Sequence, residues 1–144
     1  YPPDSAGGRM TLNFIAVPAE FTAEQTIARL RELAPDAETI YYLYVVDDAR
    51  RLLGVLSLRR LLIADPQTPV TRLMGPDVVA VRADQSDEAA AGLLAKYDLL
   101  AIPVLDAEDR LLGIITVDDV VDVLADRLGG RLPRRLERIR RRRE

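Results

Sequence analysis

Cysteine and histidine are absent from the 144 residues. Disulfides, thiolate chemistry and histidine-based metal or acid–base sites are therefore excluded. No apolar run approaches the roughly 20 residues that a membrane-spanning helix needs. No glycine-rich phosphate loop of the GxxxxGK(S/T) type occurs, and no nucleophile–base pair is recognisable, so the chain is not expected to be an enzyme. No secretory leader is visible. A chain that opens on Tyr1 is expected to be a piece of a longer one.

What is present is globular in character, 49% hydrophobic and 30% charged. The net charge of −3 hides an asymmetry. Residues 127–144 hold nine arginines against two glutamates, whereas residues 1–126 hold eleven basic against twenty-one acidic residues. An acidic body with a basic tail implies two kinds of partner. The tail carries Leu132, Leu136 and Ile139 at near-helical spacing. It fits a connecting helix near anionic lipid, or a solvated chain end. It lacks the interleaved aromatics that stack on bases, so nucleic acid is not an expected partner.

The order of elements repeats. Residues 1–12 carry turn-formers without periodicity and read as a linker. Asn13 to Val17 reads as a strand, and Thr22 with Gln25 forms a capping-box pattern ahead of a helix bearing Ile27, Leu30 and Leu33. Ile40 to Val46 and Leu52 to Leu56 read as strands around an Asp47–Arg50 turn, and Leu58 to Ile63 as a short helix. Residues 67–77 read as an inter-repeat linker, with one helical turn at Val70 to Met74. Then Val78 to Val81, Ser86 to Tyr97, Ile102 to Leu105, Leu111 to Ile115 and Val117 to Leu128 repeat strand, helix, strand, strand, helix. Val17 matches Val81 and Thr22 matches Ser86 at an offset of 64; Gly54 matches Gly113 and Ser57 matches Thr116 at 59. Each unit, residues 13–66 and 78–128, is β-α-β-β-α. Each is too small to bury its own sheet, so the two are expected to pack into one α/β (α+β) module with pseudo-two-fold symmetry, ahead of a tail at 129–144.

The most informative stretch is Gly113 to Asp119. An apolar strand ends in a hydroxyl residue, and Val117, Val120, Val121, Leu124 and Leu128 then recur at helical spacing. Thr116 is a candidate N-cap, and Asp118 and Asp119 fall in the first turn. Thr116 and Asp119 are three apart, so a hydroxyl, a carboxylate and free backbone N–H groups converge at the helix mouth. That set caps a helix; it also suits a ribose diol and a phosphate. Both readings stand at this point.

The tandem β-α-β-β-α repeat, with Gly-apolar-apolar-Ser/Thr-x-x-Asp at the last strand–helix junction, resembles a pair of cystathionine-β-synthase (CBS) domains, or Bateman module. The segments Glu38 to Asp47, Gly54 to Arg59, Leu62 to Pro66, Lys96 to Leu100 and Thr116 to Val123 together resemble the cytosolic CBS pair of the MgtE magnesium transporter family. The resemblance implies a regulatory module that senses Mg²⁺, binds AMP or ATP, dimerises through the CBS pair and acts on a transmembrane domain of the same chain. It would be a cytoplasmic module of an inner-membrane protein. An alternative is an adenosine-nucleotide sensor in a soluble protein without a pore. The resemblance places Thr116 and Asp119 on ribose and phosphate, Ile102, Pro103 and Val104 beside the base, and Tyr42 and Arg59 at a first-repeat site. It places Glu88, Asp98, Asp119 and Asp122 on Mg²⁺. One departure stands out: Arg60 occupies the ribose-binding Asp position of the first repeat, and a guanidinium only donates hydrogen bonds.

Overall fold

A computed structural model describes residues 1–33 and 42–127. In chain order the elements are α1 (Ala6–Arg9), β1 (Ile15–Pro18), α2 (Ala23–Leu33), β2 (Leu43–Val46), β3 (Leu52–Leu56), α3 (Leu58–Ile63), α4 (Val70–Leu73), β4 (Val81–Arg82), α5 (Asp87–Lys96), β5 (Ala101–Leu105), β6 (Leu111–Thr116) and α6 (Val117–Arg127). The expected tail at 129–144 lies outside the described residues, as do Ile40 and Tyr41.

Two three-stranded sheets form, in the orders β1-β2-β3 and β4-β5-β6. Within each, the first two strands are parallel, as a helical crossover requires. The registers reproduce the sequence offsets. Val17 pairs with Val45 in one sheet, and their counterparts Val81 and Val104 pair in the other. The repeat therefore extends to hydrogen-bond partners, and the architecture is the mixed α+β one read from the sequence.

The chain divides into two units. One comprises Asn13–Val78 with Ala107–Leu111. Its core is built from Ile15, Val17, Ala23, Leu30, Leu43, Val45, Leu56, Leu61 and Val70. These are the alternating positions of β1 and β2 and the periodic positions of α2 and α3. The Asp47 carboxylate ties the β2–β3 turn. Oδ1 accepts the Ala49 and Arg51 backbone N–H groups at 2.9 Å each, and Oδ2 accepts Arg51 Nε at 2.9 Å. Residues 107–111 join this unit through Leu52 N–H to Asp109 O and Leu111 N–H to Arg50 O, both 3.0 Å.

The other unit comprises Tyr1–Leu12, Val79–Asp106 and the chain from Leu112 onward. Val81, Ala90, Leu94, Ile102, Val104, Ile115, Val117 and Val120 form its core, and α5 packs along α6.

Residues 1–12, expected as a linker, are instead part of this unit. Ser5 caps α1, accepting Gly8 N–H at 3.1 Å, and Ala6 is fully buried. Ala6 and Gly7 donate their N–H groups to Gln85 O and Ala83 O, and Thr11 pairs both ways with Ile114. The same construction recurs 64 residues later in the first-described unit. There α4 lies in the stretch expected as an inter-repeat linker, Thr22 bridges to Pro69, and Gly75 pairs with Val55. Long-range backbone bonding makes these segments structural, and no local pattern reports it.

Candidate functional site

The helices α2, α3 and α5, each following a strand, begin on a side-chain cap. Thr22 and Gln25 make the reciprocal capping box, at 2.9 Å from Thr22 N–H to Gln25 Oε1 and 3.3 Å from Gln25 N–H to Thr22 Oγ1. Ser57 Oγ accepts Arg60 N–H at 3.2 Å, and Ser86 Oγ accepts Ala89 N–H at 3.1 Å.

The β6–α6 mouth differs in having an acid in place. Asp119 Oδ2 accepts both the Thr116 hydroxyl, at 2.9 Å, and the Thr116 backbone N–H, at 3.2 Å. Both residues are half-buried. Both bonds fall on Oδ2, so Oδ1 is the oxygen left to meet a ligand. The mouth is therefore a built cap and a pre-positioned hydroxyl–carboxylate pair at once. At the matching β3–α3 mouth, Ser57 keeps the hydroxyl, but Arg60 stands exposed where the carboxylate would be. That mouth has no acceptor for a sugar diol from this position.

The remaining expected contacts are distributed differently. Ile102 and Val104 are fully buried in the core of their own unit, and Pro103 between them is also buried. Their side chains are occupied by core packing. Arg59 is exposed in the first turn of α3, and Tyr42 is half-buried immediately before β2. Both belong to the other unit from Thr116 and Asp119.

Glu88 and Asp98 stand apart from each other. Glu88 sits in the first turn of α5, and Asp98 follows its C-cap in the left-handed region at φ 56. Ten residues at the helical rise separate them by about 15 Å, too far to share an ion whose ligands stand roughly 2 Å from it. No group of three or more acids able to hold a metal forms among the described residues. Asp122 lies on α6, and its side chain is outside the described set.

Sequence reading also missed a buried acid. Asp87 is 9% exposed and pairs with Arg9, Nε to Oδ2 at 3.0 Å. The partners are 78 residues apart, so no local pattern announces the pair.

Two units of one strand–helix order, each with a hydroxyl residue at its last strand–helix junction, define a tandem pair of small α+β domains. The chain belongs to the CBS domain family, whose profile matches residues 7–66 and 70–126. It is 56% identical over 124 residues to the magnesium transporter MgtE of Thermus thermophilus, covering 86% of this chain and 28% of that protein. It is also similar to the crystal structure of the cytosolic domain of the Mg²⁺ channel MgtE in complex with ATP. That match has a TM-score of 0.82 at 56% identity, over 86% of this chain and 50% of that one. A crystal structure of CBSX2 in complex with AMP matches with a TM-score of 0.68 at 28% identity, over 88% and 98% of the respective chains. The chain thus spans just over a quarter of the transporter it resembles. No helix among the described residues is long and apolar enough to cross a membrane.

Proposed function

We propose that this chain is the ligand-sensing CBS module of an MgtE-like magnesium transporter, controlling transport in response to Mg²⁺ and an adenosine nucleotide. The observation that carries the reading is the 56% identity, along 86% of the chain, to a magnesium transporter. The structure of a cytosolic domain with ATP supports the nucleotide half.

Thr116 and Asp119 are the nucleotide's anchor. Asp119 Oδ1 accepts the ribose hydroxyl protons while the Thr116 hydroxyl holds Oδ2, and the N–H groups that follow Val117 in the first turn of α6 face phosphate oxygens. The backbone of Ile102, Pro103 and Val104 borders the base. Arg60 disables the first-repeat mouth, so a ribose meets no carboxylate there beside Tyr42 and Arg59.

Mg²⁺ acts through the acids Glu88, Asp98, Asp119 and Asp122. Because Glu88 and Asp98 stand at opposite ends of α5, each belongs to a separate ion. The further ligands come from water and from a second copy of the module or the rest of the transporter. The acidic body repels itself at low Mg²⁺. A cation held better by the closed dimer shifts the population toward it. The transmembrane domain of the same protein, at the cytoplasmic face of the membrane, receives that shift.

Thermal melts in millimolar MgCl₂, with calorimetric titration of AMP and ATP, test the reading. A rise in melting temperature with Mg²⁺ is expected. A rise with AMP or ATP and none with Mg²⁺ moves the assignment to an adenosine-nucleotide sensor without a pore.

A further inference from the structure

Residues 1–12 touch the two elements that support the Thr116–Asp119 mouth. Thr11 and Ile114 exchange backbone hydrogen bonds at 2.8 and 3.0 Å, two residues before Thr116 on β6. At Gly113 a Cβ would lie 2.8 Å from both Met10 Sδ and Thr11 O, so the arm approaches β6 as closely as only glycine allows. On the other side, Asp87 N–H reaches Asp4 O at 2.8 Å, and the Arg9–Asp87 pair fastens the arm to α5, which packs on α6.

The arm's own hold is slight in apolar terms. Ser5 and Ala6 are buried and Met10 packs part-buried against the core, whereas Tyr1 is 68% and Leu12 73% exposed. Backbone bonds and one half-exposed ion pair therefore do most of the holding. Segments secured this way open at lower cost than the global core.

We infer that residues 1–12 form a clasp whose seating on the second repeat sets nucleotide affinity at the Thr116–Asp119 mouth; this rests on the nucleotide assignment above. With the clasp seated, Ile114 is paired and β6 delivers Thr116 to Asp119 in order. With it open, Ile114 loses both backbone partners, and binding must re-order the strand end first. Affinity then falls by the fraction of mouths that are ready. Linkage requires the reciprocal effect: bound nucleotide holds the clasp shut.

Amide hydrogen exchange on the wild-type chain, with saturating AMP and separately ATP, reads that reciprocity without a substitution. Exchange at Gly7, Thr11 and Ile114 slows about tenfold if the coupling is of ordinary size. In the same chain Gly113→Ala forces the arm away from β6, and calorimetry is expected to show about tenfold weaker nucleotide binding. Gly54→Ala is the matched control, since a Cβ there meets Met74 Sδ at 2.6 Å and Gly75 O at 2.9 Å in the other unit. Arg9→Ala replaces Gly113→Ala if that variant does not fold. Nucleotide that binds while exchange along the arm stays unchanged overturns the clasp and leaves the nucleotide assignment standing. A wild-type chain that binds neither AMP nor ATP overturns both.

Discussion

Tyr44→Phe is expected to stabilise this protein. Tyr44 lies on β2, opposite Ala16 on β1 and Val55 on β3, and it is 1% exposed. Its ring meets Phe14 edge-on, centroids 6.3 Å apart at 88°. Its hydroxyl has no hydrogen-bond partner among the described residues. In the unfolded chain that hydroxyl is hydrated; on folding it is stripped and unpaired, at a cost of about 1–3 kcal/mol. Phenylalanine keeps the ring contact and removes the stranded oxygen, leaving only a small gap. A net gain of about 1 kcal/mol follows, or a melting temperature roughly 3 °C higher for a chain of this size. Urea unfolding followed by circular dichroism gives the same quantity as a shifted midpoint at constant slope. The pH dependence supplies a second reading. Burial, and after it the charge of Tyr42, push the Tyr44 phenol well above its ordinary value of 10.0. A raised folded value gives stability that is complete below the unfolded value and lost as pH rises beyond it. The wild-type chain should therefore lose stability above about pH 10, and Tyr44→Phe should lose less. A variant weaker than wild type by about 1 kcal/mol, the usual net worth of a made hydrogen bond, would show that the hydroxyl is bonded and refute the reasoning.

Asp119→Ala removes the acceptor of both Thr116 bonds; nucleotide affinity should drop at least about tenfold by calorimetry, and the loss of a helix cap should cost about 1 kcal/mol in urea unfolding. Arg60→Asp restores a carboxylate at the first-repeat mouth while leaving the Arg60 backbone bond to Ser57 Oγ available. Titration with ATP should then show a second binding event, and an unchanged stoichiometry would count against the equivalence of the two mouths. Asp47 is held below its ordinary value, chiefly by the Arg51 backbone N–H. The stability it adds is present above about pH 4 and lost as pH falls through the folded value. Asp47→Asn should therefore flatten the acid limb of a melting-temperature profile, and an unchanged limb would contradict that role.

Much of the fold is legible in the residues themselves. Caps at Thr22, Ser57 and Ser86, and offsets of 64 and 59, set the order of elements, and the structure then pairs Val17 with Val45 and Val81 with Val104 in matching register. Those signals are local or periodic, because they reside in a hydroxyl beside an N–H, or in which face of a strand is apolar. The Thr116–Asp119 pair was legible for the same reason: three residues of helix bring the two groups together.

Other features depend on partners distant in sequence. Arg9 meets Asp87, Thr11 meets Ile114, and Met10 meets Gly113 only because the chain returns to those positions after a whole repeat. Glu88 and Asp98 stand apart because helix α5 runs between them. Tyr44 loses its hydroxyl's partner because both faces of β2 are covered. Sequence by itself determined two copies of one motif and the chemistry at their helix mouths, since both follow from neighbours along the chain. Tertiary structure alone decided which distant segments brace the strands and helices that carry those mouths and which polar atoms remain unpaired, since both depend on what is buried against what.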